Sequence, residues 1–219
     1  MTLYAIVPVR GGSKGMPGKN TARLGGVPLW RRAVDQARAA GVDHVVVSTD
    51  IAELLRADGE DGVTILARPP DLAGDATPMD PVLTHALDAA VPEGARVVLL
   101  QATSPLRAIQ DIRDAVALFD SGAFDLVKTV TPTPAGILKH GTMDGDRFVP
   151  VSDPAYCFQN RQALPDVMRP NGAVYVFGRD WFLTNGGLAT DKIGAVVMPP
   201  ERSFDIDTAE DFARAEAML

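Results

Sequence analysis

"LYAIVPVRGGSKGMPGKN", residues 3–20, joins two unlike halves. Residues 3–9 form a continuous apolar run, which is typical of a β-strand buried on both faces. The run ends at Arg10, and four glycines and two lysines follow within ten residues. A buried strand that ends in a glycine-rich basic loop predicts an α/β fold whose first loop binds an anion.

The next hundred residues repeat this alternation of strand and helix. Apolar runs predict strands over 3–9, 44–49, 63–66, 96–101 and 125–130, and helical spacing predicts helices over 27–41, 51–59, 78–91 and 109–122. The order predicts a doubly wound, mostly parallel sheet with helices on both faces. Loops 10–20, 67–77 and 101–107 all follow strands, so we expect them to converge on one edge of the sheet.

The pattern changes after residue 131. Residues 131–170 are rich in turns and proline, with short strand candidates near 136–140 and 147–151. We interpret this stretch as an arm inserted into a single domain, 1–219. The sheet resumes over 172–177 and 195–199, and a helix over 208–219 begins at Thr208, a good N-cap with Asp211 three residues later.

Composition excludes several classes of protein. The formal net charge is −7, so the chain lacks the basic footprint of a nucleic-acid-binding protein. A single cysteine, Cys157, excludes an intramolecular disulfide framework and fits a reducing compartment. No apolar run is long enough to cross a membrane, and the first ten residues do not resemble a signal peptide. We expect a cytoplasmic protein without a membrane partner.

The basic loop has the features of a polyphosphate site. Backbone amides from Gly11 to Ser13 can point into one concavity, and Arg10, Lys14 and Lys19 add positive charge. The loop matches neither the dinucleotide fingerprint, because an arginine replaces the first glycine, nor the Walker A motif. The alternative interpretation is a flexible surface turn.

Two carboxylates lie near the end of the chain in "FDIDTAEDF" (204–212). Asp205 and Asp207 are two residues apart on an extended segment, so they face the same side. Such a pair suits Mg²⁺, which prefers oxygen ligands and bridges phosphates. Alternatively, these acidic residues only cap the following helix.

Two further stretches carry candidate ligand contacts. Gln101, in "LLQATSPLR" (99–107), lies at the carboxyl end of a central strand, although a plain strand-to-helix turn explains it equally well. Arg161 and Arg169, in "NRQALPDVMRPNGAVY" (160–175), suit capture of a carboxylate, but solvated surface arginines are the commoner case.

Taken together, these stretches resemble the acylneuraminate cytidylyltransferase (CMP-sialic acid synthetase) family. The similarity runs nearly end to end through six ordered motifs: "RGGSKGMPGKN", "VVVSTD", "ARPPDLAGDATP", "QATSPLR", "RQALPDVMRPNGAVYVF" and "FDIDTAEDF". The resemblance implies a nucleotide-diphospho-sugar transferase-like sheet with a dimerisation arm, here residues 131–170, and hence a homodimer. It also implies that CTP and an acidic sugar give a CMP-sugar and pyrophosphate.

The resemblance further implies roles for individual residues. Arg10, Lys19 and Asn20 would hold the triphosphate, beside Gly11, Gly12, Ser13 and Lys14. Arg68 and Thr77 would meet cytosine, and Asp205 and Asp207 would hold Mg²⁺. The sugar side would be formed, partly across the dimer, by Gln101, Arg161, Arg169 and Tyr175. Arg10, Lys19 and Asp207 are the residues implied to be catalytic.

The chain departs from the family pattern at two places. Met79 stands where the family typically has a hydroxyl residue, and a thioether cannot donate a hydrogen bond. Residues 183–194 lack the aromatic pair that packs on the N-acyl group of sialic acid. The acceptor therefore stays open between a sialic acid, another ulosonic or nonulosonic acid and a different acidic molecule. Two alternatives also stay open: another nucleotide or a phosphonate acceptor on the same scaffold, and a nucleotide-binding protein without activity.

Overall fold

A seven-stranded mixed sheet forms the centre of the molecule in a computed structural model, which describes residues 1–57 and 59–219. The strands are β1 (Leu3–Val9), β2 (Arg23–Leu24), β3 (Val27–Pro28), β4 (His44–Thr49), β5 (Val63–Ala67), β6 (Arg96–Leu100), β7 (Leu126–Thr133), β8 (Gly141–Asp144), β9 (Arg147–Pro150), β10 (Val167–Gly178) and β11 (Ile193–Val197). The pairs β2–β3 and β8–β9 form two small separate hairpins.

Within the described residues, six α-helices connect or flank these strands. They are α1 (Leu29–Ala40), α2 (Ala52–Leu55), α3 (Met79–Ala90), α4 (Ile109–Asp120), α5 (Arg179–Asn185) and α6 (Ala209–Glu216). Short 3₁₀ helices cover Lys19–Thr21, Pro70–Leu72, Ala135–Lys139, Pro154–Phe158 and Arg161–Ala163. Among the described residues, no helix combines the length and the apolar character needed to cross a membrane.

The order of strands in the main sheet is β11-β7-β10-β6-β1-β4-β5. All neighbouring pairs are parallel except those of β10, which runs antiparallel to both β6 and β7. The chain moves from β1 outward to β4 and β5 and then returns to the other side of β1 with β6. Ligands of such sheets bind where the order reverses, at the carboxyl ends of the strands, which here are the ends of β1 and β6.

Alternate side chains of the strands enter two apolar layers, one on each face. On one face, Val7 and Leu100 pack with buried residues of α1, α4 and α6; on the other, Ile6 and Leu99 pack with α3 and α5. Strands buried on both faces have no polar alternation, which is why they were recognisable as continuous apolar runs. The predicted α/β class and mostly parallel sheet are confirmed.

Some boundaries predicted from the sequence were wrong. The helix predicted over 51–59 covers only Ala52–Leu55, of which Leu54 alone is buried; Asp58 lies outside the described residues. The strand expected near 136–140 is a 3₁₀ helix that follows Pro134, and the hairpin begins at Gly141 instead. Helix α5 was not predicted, because its seven residues bury only Phe182 and give little periodic signal.

The segment predicted as an inserted arm leaves the sheet through β7 and returns through β10. The register partners Thr133 and Val167 bring its two ends side by side. Between them lie three 3₁₀ helices and the β8–β9 hairpin. Because β10 returns antiparallel, its first half lies at the edge of the sheet where β1 and β6 end. The return strand therefore contributes residues to that edge.

Candidate active site

A cleft opens at the carboxyl ends of β1 and β6. Its walls are Pro8, Arg10, Ser13, Lys19, Asn20, Arg68, Met79, Gln101, Ala102 and Thr103. The predicted convergence of three loops is therefore confirmed, since residues from all three meet here. The cleft brings together candidate phosphate, base and acceptor contacts that are far apart in the sequence.

The glycine-rich loop, residues 10–20, is closed by its last residue. The Asn20 side-chain amide donates to the Arg10 carbonyl oxygen (2.9 Å), and Asn20 is only 5% exposed. Its Oδ1 is buried and has no partner among the described residues. Gly18 adopts a left-handed conformation (φ 69°), which starts the 3₁₀ turn at Lys19. The loop is therefore an ordered structure, and the alternative of a flexible surface turn is not supported.

The backbone of this loop differs in part from the anion nest predicted for it. The Gly11 amide already donates to Asp50 Oδ1 (2.8 Å), a carboxylate that follows β4. The Gly11 amide is therefore engaged by the protein itself, so a ligand phosphate would have to use other groups of the loop. Asp50 ends the quoted motif "VVVSTD", but its contact with Gly11 was not predictable, because it joins loops after two different strands.

The three cations of the loop all contact carboxylates. Arg10 and Lys14 pair with Asp75, the latter at 3.1 Å, and Lys19 lies 3.2 Å from Asp207 Oδ1. The hydrogen bonds from Arg10 and then Lys14 hold the pKa of Asp75 below its ordinary value. Asp75 follows β5 in a turn-rich loop and was not singled out by sequence, since nothing local marks an ion pair across 65 residues.

The aspartate pair lies against the same loop. Ile206 is buried between the two exposed aspartates, and its amide donates to the Thr103 carbonyl oxygen (2.8 Å). The Lys19 ammonium donates to the Ile206 carbonyl oxygen (2.7 Å). Asp205 and Asp207 therefore face one side, as their spacing predicted, and Lys19 ties them to the glycine-rich loop.

The surroundings of Asp205 change its titration. Although Asp205 keeps contact with solvent, the protein packed around it partly desolvates the carboxyl and raises its pKa; the charge of Asp207 adds to the rise, against the hydrogen bond with Thr103 and the charge of Lys19. The helix-cap role also exists, but a third aspartate performs it: Asp211 accepts from the Thr208 amide (2.9 Å) while Thr208 caps the Asp211 amide (3.1 Å). Asp205 and Asp207 are therefore not required as caps.

The pair fits a magnesium ion by its chemistry. Two carboxylates on one face supply hard oxygen donors, and Mg²⁺ is commonly bound by one or two carboxylates plus substrate phosphates and water. Among the described residues no cluster of three or more potential metal ligands occurs. An ion at Asp205 and Asp207 would therefore complete its coordination with oxygens outside such a cluster, such as water or a bound phosphate.

Arg68, from the loop after β5, forms part of the cleft wall. It is 7% exposed, and its guanidinium donates to the Ser48 carbonyl oxygen (2.8 Å) and hydroxyl (3.2 Å) at the end of β4. Burial lowers the pKa of Arg68, and nearby Arg10 lowers it further against the charge of Asp50. Arg68 is thus a fixed, buried cation of the cleft wall.

Thr77 lies outside this wall, whereas Met79 is part of it. The Thr77 hydroxyl donates to the Asp71 carbonyl oxygen at 3.4 Å, within its own loop. Met79 begins α3 and places its thioether in the cleft. The departure from the family pattern noted at Met79 therefore falls inside the site.

Of two residues predicted for the acceptor side, Gln101 lines the cleft, whereas Tyr175 is not among its walls in the described part of the chain. Gly172 of β10 (φ 75°) lies so close to Gln101 that a Cβ there would be 3.6 Å from Gln101 Oε1. Burial raises the pKa of Tyr175, and the charge of Asp205 adds to this.

Arg107 connects the loop after β6 with β10 and α1. Its guanidinium donates to the carbonyl oxygens of Gln101 (2.6 Å) and Ala173, and to Gln36 of α1 (2.9 Å). Burial lowers the pKa of Arg107 to about 9, against the charges of Asp111 and Asp205. It fixes the ends of β6 and β10 relative to each other.

Arg161 and Arg169 are not brought to the cleft within one chain. Both are exposed on the arm, and neither belongs to the cleft walls in the part of the chain that the structure describes. Their predicted role on the acceptor side stays a prediction, which requires a second chain.

Known proteins are similar to this chain over most of its length. The profile of the cytidylyltransferase family matches residues 4–137. The chain is 32% identical over 97% of its length to the N-acylneuraminate cytidylyltransferase of Streptococcus agalactiae serotype V, and covers 52% of that protein. It is 26% identical to the CMP-N,N'-diacetyllegionaminic acid synthase of Legionella pneumophila, covering 100% of this chain and 97% of the other.

The fold has solved counterparts. A CMP:2-keto-3-deoxy-manno-octonic acid synthetase complexed with CTP superposes with a TM-score of 0.74 at 17% identity, covering 100% of this chain and 98% of the other. Several curated relatives are longer: the chain spans about half the length of the N-acylneuraminate cytidylyltransferases that it matches.

Proposed function

Because this chain belongs to the cytidylyltransferase family, we propose that it transfers a cytidylyl group from CTP to an acidic ulosonic or nonulosonic sugar, giving a CMP-sugar and pyrophosphate. One observation carries the proposal: Lys19 joins the cationic glycine-rich loop to the aspartate pair at the edge of the sheet. A triphosphate and its counter-ions need both features in one place. The relatives named as synthetases of CMP-linked acidic sugars supply the acceptor class.

The proposed reaction is an in-line displacement at the α-phosphorus of CTP. The acceptor hydroxyl oxygen attacks the α-phosphorus of CTP and loses its proton. A new phosphorus–oxygen bond forms while the bond from the α-phosphorus to the bridging oxygen breaks, and that oxygen leaves with pyrophosphate. Such transfers ask little covalent chemistry of a protein, so positioning and charge neutralisation account for the rate.

Side chains of the glycine-rich loop would hold the triphosphate. Arg10 can form bidentate hydrogen bonds with phosphate, and Lys14 and Lys19 act as point charges. Lys19 lies nearest to the aspartate pair, so it is the cation that we assign to the charge building up on the transferred phosphate. Asp205 and Asp207 would hold Mg²⁺, which when bound neutralises phosphate charge as a Lewis acid.

The cytosine base of CTP would lie between Arg68 and Met79. Arg68 is already fixed by Ser48, so it presents a wall of constant geometry. The Met79 side chain is apolar and polarisable, so we assign it to packing against the nucleoside and not to hydrogen bonding.

The acceptor would lie beside Gln101 and Tyr175, with Arg161 and Arg169 completing its site from a second copy of the chain. Apolar side chains exposed on the arm support a homodimer: Ile137, Met143, Phe148, Val151, Phe158 and Met168. A cytoplasmic location, favoured by the single cysteine, belongs to the same proposal.

Pyrophosphate release tests the function directly. The purified chain is incubated with Mg²⁺, each of the common nucleoside triphosphates and a panel of ulosonic and nonulosonic acids. We expect release with CTP and at least one acid, and turnover lower by at least about 100-fold in Lys19→Ala. Lys14→Ala is the matched control, because this 86% exposed lysine carries the same charge in the same loop; we expect a smaller loss.

Two outcomes would contradict the proposal. Release with a different nucleotide would assign the scaffold to another nucleotidyltransferase. Binding of CTP without release across the whole panel would indicate a nucleotide-binding protein without this activity.

A further inference from the structure

Asp75 forms ion pairs with Arg10 and Lys14, two cations that the proposed function assigns to phosphate binding. Its two carboxylate oxygens contact different partners: Oδ1 pairs with Arg10, and Oδ2 pairs with Lys14 at 3.1 Å. Among the described residues these are the ion pairs in which Arg10 and Lys14 take part. The carboxylate of Asp75 therefore bridges Arg10 and Lys14, as two oxygens of one phosphate could.

The surroundings of Asp75 show that this contact is part of a cavity. A second cavity beside the main cleft is lined by Arg10, Ser13, Lys14, Gly15, Lys19, Asp75, Asp207 and Thr208. Asp75 lies on it with Arg10 and Lys14, and Asp207 lies on it with Lys19. Arg10 and Lys14 thus share Asp75, whereas Lys19 pairs with Asp207. Asp75 is therefore separate from the proposed metal ligands.

The strength of the contact suits an exchangeable counter-ion. Asp75 is about one-third exposed and Lys14 is 86% exposed, and exposed ion pairs are weak in water. A polyphosphate carries several negative charges and makes charge-assisted hydrogen bonds with the same groups. It can therefore replace one carboxylate at a modest cost in affinity.

We propose that Asp75 is a resident competitor of the polyphosphate: a nucleoside triphosphate displaces its carboxylate from Arg10 and Lys14, and the carboxylate returns as pyrophosphate leaves. The proposal rests on the proposed function for the identity of the nucleotide. It adds a specific role to a residue that contacts neither the base wall nor the aspartate pair. Asp75 lowers the affinity of the loop for pyrophosphate and so favours release of that product.

Calorimetric titration with inorganic pyrophosphate in the presence of Mg²⁺ tests this. We expect Asp75→Asn to bind pyrophosphate about 3- to 10-fold more tightly, the scale of losing two exposed ion pairs. Asp71→Asn is the matched control, because it removes the same charge from the same loop and Asp71 makes no ion pair with Arg10 or Lys14 in the structure. We expect its Kd to change less than about twofold.

A double-mutant cycle adds a second measurement. In a Lys14→Met background, Asp75→Asn should tighten binding less than in the original chain, because one of its two partners is already gone. Unfolding midpoints of all variants show whether the compared chains are equally folded.

The outcomes separate this proposal from the proposed function. Unchanged or weaker pyrophosphate binding in Asp75→Asn, or equal tightening in Asp71→Asn, would overturn the role of Asp75 even if CTP is turned over. Selective tightening in Asp75→Asn without any CTP turnover would support the role of Asp75 and contradict the proposed function.

Discussion

At the scale of single residues, Gly15 decides how closely the glycine-rich loop approaches the aspartate pair. A Cβ built at Gly15 would clash with the carbonyl oxygen of Asp207, which is backbone and cannot turn away. The Lys19 ammonium crosses the same junction to the Ile206 carbonyl oxygen. The distance between the proposed phosphate contacts of the loop and the proposed metal ligands therefore depends on the absence of a side chain at Gly15.

Gly15→Ala should consequently impair activity more than stability. The substitution forces the loop and the segment around Asp207 apart, and a displacement near 1 Å can cost about 100-fold in rate. We expect kcat for pyrophosphate release to fall by at least about 10-fold. Gly59→Ala is the control, because a Cβ there has open space around it and Gly59 lies outside the proposed site; equal losses in the two variants would contradict the argument.

A second residue-scale prediction concerns pH. Burial raises the pKa of Asp205, so this carboxyl takes up a proton at a higher pH than an ordinary aspartate, and a protonated carboxyl is a poor metal ligand. We expect the Mg²⁺ concentration for half-maximal CTP binding to rise as the pH falls toward the raised pKa of Asp205. For folding the sign is opposite: the contribution of Asp205 to stability is present at low pH and lost as pH rises through its raised pKa.

Titration of Mg²⁺-dependent CTP binding at several pH values checks this prediction. Because the terminal phosphate of CTP also takes up a proton in mildly acidic solution, the reference is Asp205→Asn, in which the Mg²⁺ requirement should depend less on pH than in the original chain. Equal pH dependence in the two chains would show that Asp205 is not a ligand or is not perturbed.

At the scale of elements, Asn171 fixes β10 where it enters the sheet. It is 4% exposed; it accepts from the Thr129 hydroxyl of β7 (2.6 Å) and donates to the Ser203 hydroxyl (2.9 Å). The register between β10 and β7 shifts between Pro170 and Tyr175, so ladder hydrogen bonds are interrupted at this point. One side chain therefore connects two strands with the segment that leads to Asp205.

Asn171→Ala should reduce the free energy of unfolding by about 2–3 kcal/mol, because it leaves buried polar partners unsatisfied. Urea denaturation followed by circular dichroism measures the change. Asn185→Ala is the control: Asn185 also donates two hydrogen bonds, but it is exposed, so we expect a loss below about 1 kcal/mol. Similar losses in both variants would argue against a special role for Asn171.

The elements also show what the sequence could and could not predict. Buried strands such as β1 and β6 were recognisable because both faces are apolar, and Thr208 with Asp211 predicted the start of α6 correctly. The antiparallel direction of β10 was not predictable, because an apolar run reads the same in either direction. The ion pairs of Asp75 were not predictable either, since they depend on how two loops meet.

At the scale of the whole molecule, the residues predicted to bind substrates are divided between the cleft and the arm. Arg10, Lys19, Asn20 and Arg68 line the cleft, whereas Arg161 and Arg169 are exposed on the arm together with apolar side chains. Among these, Phe158 is 90% exposed and Met143 65% exposed. Large apolar side chains that are exposed together on one segment are typical of an interface.

We expect sedimentation velocity to show a dimer that Phe158→Asp converts to monomer at micromolar concentration. Val197→Asp is the matched control, because Val197 is 56% exposed on the edge strand β11, outside the arm. If the arm carries Arg161 to a neighbouring acceptor site, the monomeric variant should keep its affinity for CTP and lose turnover. A chain that is monomeric before substitution would contradict the dimer.

The register pairing of Thr133 with Val167 has a consequence for how this scaffold can be altered. The excursion between them starts and ends at one point of the sheet, so its length and sequence can change without moving any strand. The arm is therefore a modular unit, exchangeable in evolution or in the laboratory much as a surface loop is. Exchange of arms between relatives would test whether this segment sets the acceptor of the proposed reaction.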